Sequence, residues 1–358
     1  MTMNRRMRVF FEALAPRKRK NLLSVLHIAL IIFIVSILYI SHNGTRTITK
    51  CNIITIEHTQ LEQTVALIAK KTPHTGMMTV NVAGRLGNLM GEYATVYGLA
   101  RLNGYQAYIL PNMHEQLSKI FKIQLPVLNQ EVADRINWTD YTIRNFMSPE
   151  YKNIQGEYVK LTGYPCSWNF YDYLRDEIFK EFSFHEWIKE ESYAYLAKVR
   201  GNKKNVTFIG VHVRRGDYVK IMETKDGVVG DKEYFQKAMD YFRNKYQNPI
   251  FVVASNGMDW CKENINNSLG DVHFAGDGIE GSPARDFALL VHCNHTIMTI
   301  GTFGFWVGYM TGGETVYLAN FSLTDFRPYR RVINAAFYLP EWIGIPANLS
   351  HLLKKDNS

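Results

Sequence analysis

The chain has 358 residues, 46% of them hydrophobic and 21% charged, which is typical of a globular protein with one or two domains. Its formal net charge is +8. Residues 1–20 carry seven Lys or Arg side chains against one Glu, so they hold +6 of that charge and leave only +2 for the rest. A basic tail rather than a basic face carries the charge, which excludes a protein that binds nucleic acid across a broad surface.

The segment 22–40 has nineteen residues without Asp, Glu, Lys or Arg, long enough to cross the hydrocarbon core of a membrane. The basic residues before it predict a cytoplasmic tail over 1–21 and a transmembrane signal anchor over 22–40. A cleaved signal peptide would have a shorter apolar core and a small-residue cleavage site. The basic flank disfavours the other alternative, a buried core helix. Residues 41–76 are then predicted to form a lumenal stem.

Cysteines and sequons agree with a lumenal location for everything after the apolar segment. Disulfides are permitted there, but the sequence does not choose among the three pairings of four cysteines. These are Cys51, Cys166, Cys261 and Cys293. The Asn-X-Ser/Thr sequons are at Asn43, Asn137, Asn205, Asn266, Asn294, Asn320 and Asn348. Asn294 and Asn320 adjoin apolar segments and are poor candidates for glycosylation.

From residue 77 the pattern alternates between strand and helix, which predicts an N-terminal domain over 77–200. A strand is predicted over 78–82, a helix over 88–103 closed by Gly104, and a second strand over 106–110. These three elements form a βαβ unit. The aromatic-rich stretch after residue 130 is predicted to contain helices near 169–182 and 184–200.

A second domain, over 201–358, shows the alternation more clearly. Its predicted strands cover 207–213, 250–254, 272–275, 296–300 and 315–319. Its predicted helices cover 232–246, 258–265, 283–292 and 303–311, the third with Ser282 as N-cap. Strands that alternate with helices favour parallel sheets with helices on both faces.

Glycine-containing loops follow five of these strands, at the carboxyl ends where open parallel sheets bind ligands. Glycine lets the backbone approach a ligand closely, and a helix N-terminus favours a phosphate. The loops are 84–88, 214–217, 255–257, 276–278 and 301–304. Together they predict a nucleotide cleft.

Two adjacent arginines, Arg214 and Arg215, end the strand 207–213. A guanidinium is a planar fork that fits phosphate oxygens, so the pair predicts a pyrophosphate clamp of the kind that a sugar-nucleotide transferase needs. The alternative is a structural ion pair with Asp217. The tripeptide 215–217 also spells a cell-adhesion motif, but it abuts a hydrophobic strand rather than an exposed loop tip. The chain contains no Asp-X-Asp, which favours stabilisation of the leaving group by arginine and helix dipole instead of a metal ion.

Other polar residues near these loops have structural as well as functional interpretations. His212 is as often a satisfied core histidine as a ligand-binding one. Asn88 could have no role beyond capping the helix that it starts. Asp286 could have no role beyond complementing the dipole of its helix. His292, Cys293 and His295 resemble metal ligands but straddle a helix end and lack a partner pair.

Six motifs strongly resemble the galactoside alpha-1,2-fucosyltransferases. They are 84–88 with 90–95, 212–218, 274–278 with 280–284, 286–290, 293–304 and 339–342. The resemblance covers about residues 78–352. It implies a GT-B-like α/β fold of two Rossmann-like domains, and inverting transfer of fucose from GDP-β-L-fucose to the 2-hydroxyl of a terminal β-galactose. It also implies a type II membrane protein of the Golgi. Because Asp-X-Asp is missing, no cofactor or metal is expected.

The resemblance further implies roles for individual residues. The implied catalytic residues are Arg214, Asp217 and Asn88. Arg214 would contact the β-phosphate, and Asn88 would lie near the acceptor. GDP-fucose would be bound by His212, Arg215, Asp286, Thr302, Phe303, Gly304, Gly84 and Arg85. Leu89 departs from the glutamine usual in the family, which puts the polar contacts of that loop in doubt.

Several points stay open at the level of sequence. Glu92, Asp217, Asp277 and Glu280 are alternatives for the general base. The acceptor could be a different glycan hydroxyl or a protein side chain, and a catalytically inactive glycan-binding membrane protein is the alternative outside enzymes. The preferred galactoside and association into a homo-oligomer are also open.

Overall fold

The computed structural model describes residues 76–275, 282–323 and 337–355, except the side chains of residues 351, 354 and 355. The chain divides into two compact units, Met1–Ala66 and Leu67–Ser358, and every described residue belongs to the second. Within the described ranges, no helix has the length and apolar character needed to cross a membrane. The predicted tail and anchor, and the stem up to residue 75, lie outside the described residues, as does the predicted loop 276–278.

The first sheet has four parallel strands in the order β2-β1-β4-β3. They are β1 (Met77–Val80), β2 (Gln106–Ala107), β3 (Thr139–Thr142) and β4 (Tyr158–Thr162). The helices between them are α1 (Leu86–Asn103), α2 (Pro111–Leu117) and α3 (Gln130–Arg135). Because β2 and β4 lie on opposite sides of β1, the segment after β1 leaves the sheet at a point where the strand order reverses.

The described part of the chain then continues with α4 (Arg175–Glu181) and α5 (Glu186–Arg200), after short 3₁₀ turns at Pro149–Lys152, Trp168–Phe170 and Asp172–Leu174. Helix α5 packs on the second half of the molecule, which is the part of the chain after residue 200 that builds the second sheet. There Leu196 lies in one buried cluster with Phe208 and Leu289. The last helix before the second sheet is therefore part of that sheet's covering layer.

The second sheet has six parallel strands in the order β10-β9-β8-β5-β6-β7. They are β5 (Val206–Val213), β6 (Asn248–Ser255), β7 (Val272–Phe274), β8 (His295–Met298), β9 (Thr315–Ala319) and β10 (Ile343–Pro346). The described helices are α6 (Asp217–Glu223), α7 (Lys232–Lys245), α8 (Met258–Asn264), α9 (Pro283–Val291), α10 (Thr302–Thr311) and α11 (Ser350–Lys355).

The strand order of this sheet locates a ligand crevice. From β5 the chain builds outward through β6 and β7, then returns to β8 on the other side of β5 and builds outward again. The switch point of the sheet therefore lies between the carboxyl ends of β5 and β8, where open α/β sheets bind ligands. A hydrogen bond joins these ends, since the Arg214 amide donates to Thr299 Oγ1 at 2.9 Å.

Burial accounts for the main elements of this half. Residues Phe208–Val213 of β5 are all buried, as expected for the central strand of a covered parallel sheet. Helix α7 buries one face through Tyr234, Phe235, Ala238, Met239 and Phe242, at the spacing of helical turns. Asp231 caps its N-terminus by accepting a 2.8 Å hydrogen bond from the Tyr234 amide.

The two sheets share one continuous hydrophobic core through α1 and α10. Nearly all of α1 is buried, and a Cβ at Gly87 would lie 2.6 Å from the Phe303 nitrogen of α10. The halves also meet where Tyr171 stacks on Trp306, with ring centroids 5.3 Å apart. The absence of a side chain at Gly87 allows the first turns of the two helices to touch.

These two parallel sheets confirm the predicted α/β class and support a GT-B-like fold. The predicted division into two domains, over 77–200 and 201–358, stays a prediction. The prediction was wrong in detail at several elements. The strand predicted over 106–110 ends at Ala107, and the helix predicted from Asn88 begins at Leu86. Strands β3, β4 and β10 and helices α2, α3, α6 and α11 were not predicted.

Candidate active site

A cavity of about 610 Å³ opens where the carboxyl edges of the two sheets face each other. Its walls are the loop after β1 with the first turn of α1, the end of α2, the ends of β5 and β6, and the first turns of α9 and α10. It is lined by residues 84–88, 116, 119, 120, 212, 214, 217, 218, 254–256, 283, 286 and 300–303. Four of the five glycine loops identified in the sequence therefore reach it, and the fifth lies outside the described residues.

Arg214 leaves the end of β5 and turns its guanidinium into the cavity wall. Its Nη2 donates to Asp217 Oδ1 at 2.6 Å, and its guanidinium carbon lies 4.9 Å from the centroid of the Tyr218 ring. The side chain is 17% exposed. The ion pair considered as a structural alternative is thus present. It holds the guanidinium at the cavity rather than away from it.

Arg215 takes the opposite direction and does not line the cavity. Its guanidinium lies 3.8 Å from the centroid of the Trp260 ring, and its Nη1 donates to the Gly230 carbonyl. Successive side chains on extended backbone point to opposite faces, so neighbouring arginines at a strand end diverge. The structure therefore does not bring the two guanidinium groups together, and the joint clamp stays a prediction.

His212 is buried beneath the cavity and stacks on Phe303, with ring centroids 4.8 Å apart. Burial, reinforced by the nearby Arg214 charge, lowers its pKa to about 3, so the ring is neutral at physiological pH. Its Nδ1 has no hydrogen-bond partner among the described residues. A Cβ at Gly304 would lie 2.7 Å from that nitrogen, so Gly304 makes room for the histidine and does not itself line the cavity.

Asn88 and Thr302 connect the two halves of the molecule across the cavity floor. Thr302 Oγ1 donates to Asn88 Oδ1 at 2.7 Å, although the residues are 214 positions apart. Asn88 is the third residue of α1, whose N-cap position is Arg85, so the helix-cap interpretation of Asn88 was wrong. Gly84, with φ of +86°, lies against the Asn88 amide, where any Cβ would be 2.2 Å from Nδ2.

The cavity combines cationic and partly positive groups with two described carboxylates, those of Asp217 and Asp286. Gly301 is the N-cap residue of α10, has φ of +95° and has no side chain to cap the helix. The first turn of α10 lines the cavity. This helix end, Arg214 and the exposed Arg85 favour a bound anion. Asp286 lies in the first turn of α9, as the sequence predicted.

Of the four alternatives for a general base, only Asp217 is found at the cavity in the described residues. Glu92 is fully buried in α1 and does not line it. Its Oε2 accepts a 3.1 Å hydrogen bond from the Ala83 amide, and burial raises its pKa to about 8. Asp277 and Glu280 lie outside the described residues.

Sequence reasoning missed part of the wall. Gln116, Lys119 and Ile120 reach the cavity from the end of α2 and the turn that follows it. The only local signal was Pro111, a residue favoured at the first position of a helix. Tyr218 and Pro283 also line the cavity without having been singled out.

Comparison with known proteins matches residues 37–346 to the model of glycosyl transferase family 11. The chain is 57% identical over 282 residues to galactoside alpha-(1,2)-fucosyltransferase 2 of Mus musculus, an alignment that covers 78% of this chain and 81% of the mouse protein. It is 54% identical over 308 residues to the Sus scrofa protein of the same name, covering 84% and 90% of the two chains.

Solved structures give weaker likenesses. A NodZ alpha-1,6-fucosyltransferase soaked with GDP-fucose has a TM-score of 0.44 and 13% identity, covering 66% of this chain and 92% of that one. POFUT1 in complex with GDP-fucose has a TM-score of 0.45 and 11% identity, covering 69% and 99%. The assignment rests on the family match and the sequence relatives. The chain belongs to glycosyl transferase family 11, as the resemblance of its motifs to the galactoside alpha-1,2-fucosyltransferases predicted.

Proposed function

We propose that this protein transfers L-fucose from GDP-β-L-fucose to the 2-hydroxyl of a terminal β-galactose, with inversion at the fucose anomeric carbon. The observation that carries the proposal is the identity of 54–58% to galactoside alpha-(1,2)-fucosyltransferases along about four fifths of the chain. The cavity supports it, because its arginine and its helix N-terminus suit the diphosphate of a sugar nucleotide.

In the proposed reaction the acceptor oxygen attacks the anomeric carbon of fucose from the face opposite the diphosphate. The bond from that carbon to the β-phosphate oxygen breaks, the electron pair leaves with GDP, and the acceptor hydroxyl loses its proton. Arg214 and the first turn of α10 stabilise the negative charge that develops on the leaving phosphate. The Arg214–Asp217 ion pair fixes the guanidinium before the substrate binds, which lowers the reorganisation needed in the transition state.

Two carboxylates would divide the other tasks. Asp286, in the first turn of α9, would accept hydrogen bonds from the Watson–Crick edge of guanine, whose ring nitrogen and amino group are donors. Asp217 would hold the Arg214 guanidinium next to the phosphate position, and the proton of the acceptor hydroxyl, released on the opposite face of the sugar, would pass to water. Asn88 would orient the acceptor from the opposite wall, through the contact that it shares with Thr302.

The proposed chemistry needs no metal ion. Arg214 and the helix N-terminus stabilise the negative charge that a cation would otherwise neutralise. We also propose that 22–40 anchors the protein in the Golgi membrane with 1–21 in the cytosol, because a basic tail precedes an uncharged apolar segment.

A direct experiment measures release of GDP from GDP-fucose by the purified protein in EDTA, with phenyl β-galactoside as acceptor and phenyl α-galactoside as matched control. Release that depends on the β-galactoside, with a product whose linkage is alpha-1,2, is the expected result. Binding of GDP-fucose without transfer to any galactoside would indicate another acceptor. A folded protein that does not bind GDP-fucose would contradict the proposal.

A further inference from the structure

One aromatic residue at the cavity is left without a role by the proposed mechanism. Tyr218 lies in the first turn of α6, directly after Asp217, and its side chain lines the cavity. One face of its ring carries the Arg214 guanidinium at 4.9 Å, a distance typical of cation–π contacts. The same ring packs against the apolar core of the second half.

The hydroxyl of Tyr218 lies at the anion-binding end of α10. A Cβ at Gly301 would be 3.6 Å from the hydroxyl oxygen, so this oxygen is next to the N-terminus of the helix. The Tyr218 side chain therefore contacts Arg214 through its ring and adjoins the N-terminal end of α10 through its hydroxyl, and these are the two groups that favour a bound phosphate.

No described residue hydrogen-bonds to this hydroxyl, whereas the phenols of Tyr93, Tyr97, Tyr234 and Tyr309 all donate to protein oxygens. Burial raises the pKa of Tyr218 above its ordinary value, so the phenol keeps its proton and is a donor at physiological pH. A donor at an anion site, held by packing and without an acceptor among the described residues, is suited to a phosphate oxygen.

We propose that Tyr218 is a further donor-substrate-binding residue: its ring holds the Arg214 guanidinium in place, and its hydroxyl donates a hydrogen bond to a diphosphate oxygen of GDP-fucose. The inference rests on the proposed function and deepens it, because it assigns a second group to the leaving phosphate. The ring and the hydroxyl make separable contributions. Tyr218→Phe removes only the hydroxyl, and Tyr218→Leu removes both.

The test measures the Kd for GDP and for inorganic pyrophosphate by calorimetry, and kcat and KM for GDP-fucose, in the full-length protein. We expect Tyr218→Phe to weaken GDP and pyrophosphate binding about tenfold, the usual effect of losing one hydrogen bond to a charged group. Tyr218→Leu should weaken both further and also lower kcat, because Arg214 loses its support. The KM for the galactoside should not change in Tyr218→Phe.

Tyr246→Phe is the matched control, since Tyr246 lies outside the cavity and its phenol contacts Glu314. A Tyr218→Phe protein that binds GDP and pyrophosphate as tightly as the wild type overturns the hydroxyl contact. Equal effects of Phe and Leu overturn the role of the ring. If the wild type binds GDP but transfers no fucose, the proposed function fails, and the binding series still decides the role of Tyr218.

Discussion

The residues that follow β5 show how adjacent side chains of one type acquire different surroundings. Arg214 faces the cavity and pairs with Asp217, whereas Arg215 stacks on Trp260 on the other side of the strand. His212 is buried as a neutral ring beneath the same site. Of this pair, only Arg214 lines the cavity.

Replacing Arg214 tests this division of roles. We expect Arg214→Lys to lower kcat about 10²–10³-fold, because a lysine lacks the planar fork and cannot keep both the ion pair and the phosphate contact. The measurement is steady-state GDP release at saturating GDP-fucose.

Arg215→Lys is the matched control and should keep kcat within about threefold, since Arg215 lies outside the cavity. Similar losses in both variants, at unchanged Tm, would mean that the two arginines do act as a joint clamp.

Helix α1 determines how the two halves meet. Gly87 contacts the backbone of α10, and Glu92, one and a half turns further on, holds the Ala83 amide of the loop before the cavity. The same helix thus fixes the distance between the halves and the position of the 84–88 wall.

Adding one methyl group at the helix contact should separate the halves. In Gly87→Ala the new carbon would meet the Phe303 nitrogen and Thr302 backbone at 2.6–2.7 Å, atoms that move only with α10. We expect a loss of about 1–3 kcal/mol in the free energy of unfolding and a raised KM for GDP-fucose.

Gly91→Ala is the control in the same helix, because its methyl group would press on Cys166 Sγ at 2.7 Å, away from the cavity. It should lower stability with little effect on KM. A Gly87→Ala protein with wild-type stability and kinetics would show that this contact does not set the spacing of the halves.

The buried Glu92 predicts a pH-dependent stability. Its pKa is raised from 4.5 to about 8 in the folded protein, so the folded state binds more protons than the unfolded state between these values. The contribution of Glu92 to the free energy of unfolding therefore falls as the pH rises through that window.

Glu92→Gln keeps an acceptor for the Ala83 amide and removes the titration. Its Tm relative to wild type should increase from pH 5 to pH 8.5, reaching a difference of about 2 °C or more. Glu186→Gln, on the exposed surface, is the control. Parallel Tm curves for wild type and Glu92→Gln across this range would contradict the raised pKa.

At the largest scale, the candidate active site lies between two sheets that belong to one compact unit, Leu67–Ser358. The cavity, the shared core and both sheets belong to this unit. The proposed leaving-group stabilisation also lies entirely within it and uses protein groups alone.

We therefore expect a chain that begins at Leu67 to fold and to transfer fucose at a rate within about twofold of the full-length protein. We expect the same rate in EDTA, because chemistry that relies on preorganised protein dipoles and charges is insensitive to chelation. GDP release and linkage analysis check this. Loss of activity in EDTA, restored by Mn²⁺ or Mg²⁺, would contradict the metal-free mechanism.

The order of the main elements and the positions of the ligand-facing loops could be predicted from the apolar pattern and the glycines. In β5 and α7 the apolar residues of the local sequence pattern are the residues that become buried. Both elements were therefore predicted to within two residues. The glycine loops could be placed because parallel strands bring their carboxyl ends to one edge. Elements with weak local patterns were missed, such as the exposed edge strand β3 and the short helix α6.

Which polar groups share the site could not be predicted, because it depends on contacts between distant segments. Asn88 and Thr302 meet across 214 residues, Gln116 and Lys119 come from a helix without a motif, and Glu92 is buried behind the wall instead of lying in it. The physical reason is that local periodicity fixes which face a side chain takes within its own element. Whether that face meets solvent, a cavity or another helix depends on packing between residues far apart in the chain.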